Sequence, residues 1–328
     1  MIRLDNSPFV RDFIDKVRHC PIGESETSCL MLPRLFAILS SSLGAHQASL
    51  ELKWMQHAVR AGHTLEQMVS RRSRGEPLQY ILGIFFLSFQ LSFKYFQGTQ
   101  PFGPLNLLTR SPVLIPRPET EHWVLAIADF LSPTAQNPIS LLDLGTGSGC
   151  IPLLLCHLWP PGSINAHAVD ISPYALRLAR DNALLCGIPS RSNDPKKPQN
   201  TFNASIANFL TEDFLSSALR INPSFDIITS NPPYIPWKEY LELPNSVSQF
   251  EDPLALFGGP SGFHFYHAIA RLISNNKNLL KPNALVVLEV GHNQATTVER
   301  LMRNTGRFSF TDIWTDPWGK QRTVLART

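Results

Sequence analysis

A glycine-rich turn in the middle of the chain restricts the possible folds more than any other segment. The turn, Gly145–Gly149, follows the apolar run Ile139–Asp143 and precedes a helical pattern. A second strand pattern, Ile164–Asp170, comes next, and Ser172-Pro173 then supplies a capping serine and a proline at the first helical position. This order of strand, glycine turn, helix and strand predicts parallel strands joined by right-handed crossovers.

The second half of the chain continues this alternation. A polar tract over Ser190–Asn200 is predicted to be a surface loop, and the pattern over Gln294–Arg303 predicts a helix. Short apolar runs predict further strands at Phe225–Ser230, Ala284–Val290, Phe308–Trp314 and Arg322–Ala326. The predicted fold class is therefore α/β, with a Rossmann-like, mostly parallel and doubly wound sheet.

The first ~80 residues instead carry apolar positions at helical spacing, which predicts a helical bundle. Thr64, followed three residues later by Gln67, is typical of a helix start. The predicted apolar faces are Val10, Phe13, Ile14 and Val17, then Leu30, Leu35, Leu39 and Leu43, then Leu50, Trp54 and Val59. No catalytic cluster is visible in this region, which suits a substrate-docking domain.

The segment between the helices and the sheet is predicted to be β-structure. From Leu87 to Tyr95 apolar and polar residues alternate strictly, as in a half-buried strand. Gly98–Ile115 has prolines and glycines between short apolar runs, which predicts a hairpin linking two domains.

Composition excludes several classes of protein. With 29 Lys and Arg against 26 Asp and Glu, the net charge is only +3, without the basic excess usual for a large nucleic-acid-binding surface. No apolar stretch reaches the ~20 residues of a bilayer span, so no membrane association is predicted. The five cysteines lack a C-x-x-C pair and are predicted to be reduced thiols. His264 and His267 have no third ligand in view, so no metal site is predicted.

The glycine turn predicts a cofactor that contains a nucleoside. Glycines at 145, 147 and 149 allow a sharp turn close to a ligand, and Asp170 ends the next strand, where a carboxylate can accept from ribose hydroxyls. Asp143, just before the turn, would repel a pyrophosphate but suits a cationic ligand. S-adenosylmethionine, with a sulfonium and an amino group, fits that charge.

A second motif, Asn231-Pro232-Pro233-Tyr234, directly follows a predicted strand. The two prolines fix the backbone and remove two N–H donors. The Asn231 side-chain oxygen and the Pro232 carbonyl can then accept both hydrogens of a planar NH2 group, and Tyr234 offers a ring against its face. The motif therefore predicts a site that binds an amide or an aromatic amine as a nucleophile.

These segments resemble the HemK/PrmC family of S-adenosylmethionine-dependent glutamine N5-methyltransferases, which act on peptide chain release factors. The resemblance covers most of the chain after residue 75 and is weak before it. Ile115–Glu121 points to the glutamine enzymes, because Asn-Pro-Pro-Tyr alone also occurs in adenine-N6 DNA methyltransferases and some RNA guanine-N2 enzymes. The other matching segments are Gly75–Gly83, Val113–Glu121, Leu142–Gly149, Val169–Ile171, Glu212–Phe214, Asn231–Ile235, Glu251–Leu256 and Glu289–Gly291.

The resemblance implies a class I methyltransferase fold and methyl transfer to the glutamine of a Gly-Gly-Gln motif. It implies a release factor as the protein partner. We also predict a monomer, with no stable nucleic-acid binding and no membrane association. The implied catalytic residues are Asn231, Pro232, Pro233 and Tyr234. The implied cofactor-binding residues are Gly145, Thr146, Gly147, Ser148, Gly149, Asp170, Phe214 and Asn231, with Arg117 and Glu119 closing the methionine side.

Individual roles also follow from the resemblance. The three glycines would hold the methionine part of S-adenosylmethionine and Asp170 the ribose. Phe214, where bacterial relatives have Trp, would stack on adenine. The Gln100–Gly103 form of the hairpin is similar to the fungal mitochondrial branch, which implies a mitochondrial location, with the cytoplasm as the alternative.

We predict three regions: a helical substrate-docking domain over 1–83, an insertion and hairpin linker over 84–118, and a methyltransferase domain over 119–328. Ile84–Gln97 has no counterpart in the family pattern. The sequence is also compatible with two other functions. One is a nucleic-acid amino methyltransferase acting on adenine N6 or guanine N2, and the other is a non-catalytic protein that binds the cofactor.

Overall fold

The computed structural model describes residues 26–59, 64–82, 99–192, 194, 197–212, 214–215 and 224–328. The chain divides into two compact units, with the boundary between Thr99 and Gln100. The predicted face that begins at Val10 and the predicted strand Leu87–Tyr95 lie outside the described residues. Among the described helices, none combines the length and the hydropathy of a segment that crosses a bilayer.

The described part of the first unit is a helical bundle, as predicted. Its helices are α1 (Glu26–Leu43), α2 (Ala45–Ala58), α3 (Leu65–Ser73) and α4 (Leu78–Leu82). Helix α3 begins with the predicted capping box: the Gln67 N–H donates to the Thr64 hydroxyl, and the Thr64 N–H donates to the Gln67 side chain. The core of the unit consists of buried side chains that include Leu35, Leu39, Leu52, Met55, Met68 and Ile81.

The predicted apolar face of α2 is only partly correct, because Trp54 is half-buried and packs against the core but Val59 does not. Val59 is exposed, whereas Leu52 and Met55 are fully buried. Glu51 is buried on the same side because the Arg72 guanidinium binds its carboxylate through two hydrogen bonds of 2.6 and 3.1 Å. This long-range ion pair brings a charged residue into the bundle on the side where Leu52 and Met55 are buried.

The second unit begins in a hairpin and continues as an α/β sheet. Strands β1 (Thr99–Phe102) and β2 (Leu105–Leu108) form a two-stranded sheet within the predicted linker. The main sheet has seven strands: β3 (Ile139–Leu144), β4 (Ile164–Asp170), β5 (Thr201–Ile206), β6 (Phe225–Ser230), β7 (Leu280–Glu289), β8 (Phe310–Thr315) and β9 (Gln321–Arg327). Their order is β5-β4-β3-β6-β7-β9-β8; the pairs β7-β9 and β9-β8 are antiparallel, and the other four pairs are parallel. The predicted mostly parallel sheet is confirmed, whereas β5 was not predicted.

Helices cover both faces of this sheet. They are α5 (Pro118–Phe130), α6 (Cys150–Leu158), α7 (Pro173–Leu185), the short α8 (Trp237–Leu241), α9 (Asn245–Ser248) and α10 (Pro253–Leu256), then α11 (His264–Asn275) and α12 (Ala295–Arg303). Leu141 and Leu142 are adjacent on β3 but belong to different core clusters, because alternate side chains of a strand face opposite sides. Two apolar cores with the sheet between them make this a doubly wound fold.

We expect Arg72→Met to lower the free energy of unfolding by about 3 kcal/mol, because it leaves the buried Glu51 carboxylate without its cation. Thermal unfolding followed by circular dichroism measures this loss. Arg34→Met, at an exposed position of α1, is the matched control and should change stability by less than about 0.5 kcal/mol. Equal effects of the two substitutions would contradict the assignment.

Candidate active site

The sheet brings the two predicted motifs to one edge. Parallel pairing aligns Leu144 at the end of β3 with Val169 on β4 and with Ser230 on β6. Three adjacent strands therefore end at the same edge of the sheet. The glycine turn follows β3, Asp170 ends β4, and Asn231 follows β6. The chain order runs outward through β4 and β5 on one side of β3 and through β6 and β7 on the other. Ligands of open α/β sheets bind at such a switch point.

The glycine turn leaves open space at this edge beside Gly145 and Gly147, which we call the hollow. Gly145 and Gly147 have φ angles of +72° and +56°, which favour glycine, and a Cβ placed at either position would meet nothing within 4 Å. Gly149 differs, because a Cβ there would lie 3.1 Å from Leu153 and 3.2 Å from Ala179. Gly145 and Gly147 thus face open space, while Gly149 allows close packing of α6 and α7.

The side chains of Thr146 and Ser148 are buried rather than turned to the hollow. The Ser148 carbonyl accepts a 3.0 Å hydrogen bond from the Asn182 amide of α7. Asn182 also accepts from the Leu108 N–H at 2.7 Å, which ties the turn to the hairpin. Of the five predicted residues of the turn, only Gly145 and Gly147 are partly exposed.

Asp170 braces the turn from the end of β4. One carboxylate oxygen accepts from the Gly147 N–H at 2.9 Å and the other accepts from the Ser172 N–H at 2.8 Å. Burial raises the carboxyl pKa, and these backbone hydrogen bonds oppose the increase. Each oxygen still has a lone pair for a further donor, as a diol ligand would require.

Asp143 is a buried acid directly beneath the hollow. Its Oδ1 accepts from the Thr229 hydroxyl at 2.7 Å, and its Oδ2 has no hydrogen-bond partner among the described residues. Burial raises its pKa to about 6; the nearby Thr146 and Thr229 hydroxyls oppose this shift and the charge of Asp170 adds to it. The Thr146 hydroxyl is close to this carboxyl but outside hydrogen-bonding geometry. An acid with one unused oxygen favours a cation in the hollow.

Asn231 begins the second motif at the end of β6. Its side-chain nitrogen donates to the Thr120 hydroxyl at 3.1 Å, so its side-chain oxygen is turned away from Thr120 and remains for another donor. The Ser230 hydroxyl donates to the Leu144 carbonyl at 2.7 Å and holds this end of β6 against β3. The structure thus brings Asn231 to the edge that carries the glycine hollow.

The rest of the motif is held tightly from the opposite side. The Ile235 N–H donates to the Leu256 carbonyl at 3.0 Å, and the Gln294 side chain donates to the Tyr234 carbonyl at 2.9 Å. A Cβ on Gly258 would lie 2.7 Å from the Tyr234 Cα, so only glycine permits this approach. Pro232 is buried. The Tyr234 hydroxyl is buried as well, and this burial, together with the charge of Glu289, raises its pKa.

Two residues that were predicted to contact the cofactor instead contact other parts of the protein in this structure. Phe214 is 1% exposed and lies in a core cluster, so its ring presents no open face for adenine in this structure. Arg117 binds both oxygens of the buried Glu251 carboxylate through one guanidinium nitrogen, at 2.6 and 2.7 Å. Burial raises the pKa of Glu251, and Arg117 opposes that shift. Contact of Phe214, Arg117 or Glu119 with a cofactor stays a prediction.

Thr120 and Glu289 are site residues to which the sequence analysis assigned no role. The Thr120 hydroxyl donates to Glu289 at 2.6 Å, and the Trp123 indole donates to the same oxygen at 2.9 Å. Burial raises the pKa of Glu289, which both hydrogen bonds and the charge of Arg322 oppose. Both residues lie inside the matching segments Ile115–Glu121 and Glu289–Gly291, and that is the signal that could have singled them out.

Comparison with known proteins adds an independent line of evidence. The family model described as the PrmC N-terminal domain matches residues 38–83. A release factor glutamine methyltransferase from Moorella thermoacetica is 34% identical over 260 residues, covering 79% of this chain and 78% of that protein. One from Lactococcus lactis is 33% identical over 263 residues, covering 80% of this chain and 82% of that protein.

A solved structure is also similar. It is a protein-(glutamine-N5) methyltransferase, release factor-specific, from Alicyclobacillus acidocaldarius, with 27% sequence identity and a TM-score of 0.37. The match covers 65% of this chain and 93% of that one. The identity and coverage of the sequence relatives are sufficient to assign the family: the chain belongs to the release factor glutamine methyltransferases.

Proposed function

We propose that this protein transfers a methyl group from S-adenosylmethionine to the side-chain amide nitrogen of a glutamine in a peptide chain release factor. The observation that carries the proposal is the position of Asn231. Its amide nitrogen is bound to Thr120, and it lies at the strand edge that also carries the open hollow of Gly145 and Gly147. A polar acceptor for an amide and a place for a cofactor are thus neighbours.

The residues around the hollow fit S-adenosylmethionine. The partly exposed backbone of Gly145 and Gly147 leaves room for the methionine part, and the Asp170 carboxylate has lone pairs for the two ribose hydroxyls. The unused Oδ2 of the buried Asp143 provides negative charge for a cation. For adenine we keep Phe214 as the proposed neighbour, which requires that its ring become uncovered.

When bound, the cofactor supplies an electrophilic methyl group on a sulfonium. The substrate nitrogen would form the new bond to carbon as the carbon–sulfur bond broke, and one amide proton would then leave to water. The Asn231 oxygen and the Pro232 carbonyl accept the two amide hydrogens and orient the nitrogen, while Pro233 and Tyr234 shape the pocket. Because an amide nitrogen is a weak nucleophile, orientation and electrostatics supply most of the rate.

The acceptor we propose is the glutamine of a Gly-Gly-Gln loop. Two glycines before the glutamine would let the substrate backbone enter a narrow cleft without side-chain clashes. The helical region, proposed as 1–83, would bind the rest of the release factor, with 84–118 as linker and 119–328 as the catalytic domain. The family model that matches residues 38–83 supports a separate N-terminal domain. We propose a monomer without a stable nucleic-acid partner.

We also propose a mitochondrial location, with the cytoplasm as the alternative. The support is the resemblance of Gln100–Gly103 to the fungal mitochondrial branch. Imaging of the full chain with a fluorescent protein at its C-terminus tests the location, and a cytoplasmic signal would contradict it.

Asp170→Asn should weaken S-adenosylmethionine binding about 10- to 100-fold, because a hydrogen bond to a charged group contributes about 1.5–3 kcal/mol. Isothermal titration calorimetry measures the affinity, and circular dichroism shows whether the fold persists. The matched control is Asp129→Asn, at an exposed position at the end of α5, which should bind normally. Unchanged affinity of Asp170→Asn would contradict the ribose assignment.

The affinity for S-adenosylmethionine should increase as the pH rises from about 5 to about 7. Below its pKa of about 6, Asp143 is mostly neutral, and a bound cation favours the charged form. Binding therefore releases a proton at low pH, and the affinity should rise by up to about tenfold per pH unit until Asp143 is ionised. Calorimetry of the wild-type protein and Asp143→Asn across this range tests the prediction. An identical pH slope in both proteins would exclude Asp143 as the cause.

Label from methyl-labelled S-adenosylmethionine should appear on a release factor and not on its Gln→Ala variant, duplex DNA or RNA. Asn231→Ala should lower the rate about 10²–10³-fold, as for the loss of one preorganised polar contact, with little change in cofactor affinity. Asn304→Ala, at an exposed position after α12, is the control and should retain full rate. Label on nucleic acid would favour the adenine or guanine methyltransferase, and equal label on both release factors would refute the glutamine.

A further inference from the structure

A chain of hydrogen bonds connects the end of β6 to the end of β7. The Asn231 nitrogen donates to the Thr120 hydroxyl at 3.1 Å, and this hydroxyl donates to Glu289 at 2.6 Å. Pairing of Ser230 with Leu288 makes Asn231 and Glu289 neighbours across the sheet. Thr120 is 2% exposed and Glu289 is 1% exposed, so water does not compete for these bonds.

With Glu289 ionised, its carboxylate oxygens can only accept, and this fixes the direction of every hydrogen bond between Asn231 and Glu289. The Trp123 indole can only donate, so the Glu289 oxygen that it contacts must accept. The single hydroxyl hydrogen of Thr120 is used on that same oxygen. Thr120 can therefore only accept from Asn231, which requires that the amide nitrogen, and not the amide oxygen, face it.

We propose that Thr120 and Glu289 are positioning residues that set the orientation of the Asn231 amide. The inference rests on the proposed function, in which the Asn231 oxygen accepts a hydrogen from the substrate amide. If the Asn231 amide were rotated by 180°, its NH2 group would face the NH2 group of the substrate. Two donors would then oppose each other, and both would lose their hydrogen-bond partners. The hydrogen bonds from Asn231 through Thr120 to Glu289 thus make the site selective for a substrate group that donates a hydrogen bond.

A purely structural role is the competing explanation. Thr120 and Trp123 are three residues apart on one face of α5, and their bonds to Glu289 also hold this helix against the sheet. If this were all, their loss would lower the melting temperature without changing the turnover of molecules that remain folded. Turnover, cofactor affinity and stability must therefore be measured separately.

The test compares substitutions of Thr120 that remove or keep its hydrogen bonds to Asn231 and Glu289. Thr120→Val keeps the shape of the side chain but lacks the hydroxyl, and kcat for the release factor should fall about 10- to 100-fold with unchanged cofactor affinity. Thr120→Ser keeps the hydroxyl and should restore most of the turnover. Thr201→Val is the matched control, because Thr201, at the start of β5, also loses a side-chain hydrogen bond, to Asn165 at 2.9 Å. It should show a similar loss of melting temperature and full kcat.

Glu289 is tested by a second pair. Glu289→Gln can place its side-chain oxygen against Trp123 and Thr120, so kcat should stay within about fivefold of the wild type. Glu289→Met removes the acceptor and frees Thr120 to donate to Asn231, which should reproduce the Thr120→Val loss. Where Glu289→Met does not fold, Thr120→Val decides. Full kcat in Thr120→Val, or no recovery of kcat in Thr120→Ser, overturns this inference but leaves the proposed function standing. A wild-type protein that leaves the release factor unmethylated overturns the proposed function, and this inference with it.

Discussion

The parallel pairing of β3 with β4 on one side and β6 on the other is the constraint on which the whole site depends. Because Leu144 is in register with both Val169 and Ser230, the segments that leave all three strands start from the same edge. Leu144 and Ser230, which are 86 positions apart in the sequence, thereby lie one strand spacing of ~4.8 Å apart. The hydrogen bond from Ser230 to Leu144 and the backbone bonds to Asp170 keep the turns in place.

Two fully buried carboxylates give this edge its electrostatic character. Asp143 lies beneath the glycine hollow and Glu289 lies behind Asn231, and burial raises the pKa of both. The two carboxylates differ in how well hydrogen bonds offset the free-energy cost of their burial. Glu289 is stabilised by donors from α5, whereas one oxygen of Asp143 has none among the described residues. Glu289 is therefore suited to hold neutral side chains in place, and Asp143 is suited to a cationic ligand.

The sequence predicted the parts of the fold that local patterns determine. Apolar runs gave β3, β4 and β6, and capping residues gave the starts of α3 and α7. Strand β5 was missed because it lies at the edge of the sheet, where half of its side chains are only partly buried and no clean alternation results. The buried face of α2 was misjudged because the ion pair of Glu51 with Arg72 joins residues that no local pattern connects.

The same division between local and distant signals applies to the site. Asn231 and the glycine turn could be identified because each motif is contiguous and each follows a strand. The proper orientation of Asn231 depends on Thr120, 111 positions earlier, and on Glu289, 169 positions after Thr120. Both residues lie in segments that match the family pattern, but no local pattern connects either of them with Asn231. Their importance arises only when folding places a hydroxyl between an amide that must donate and a carboxylate that must accept, which is a property of three elements at once.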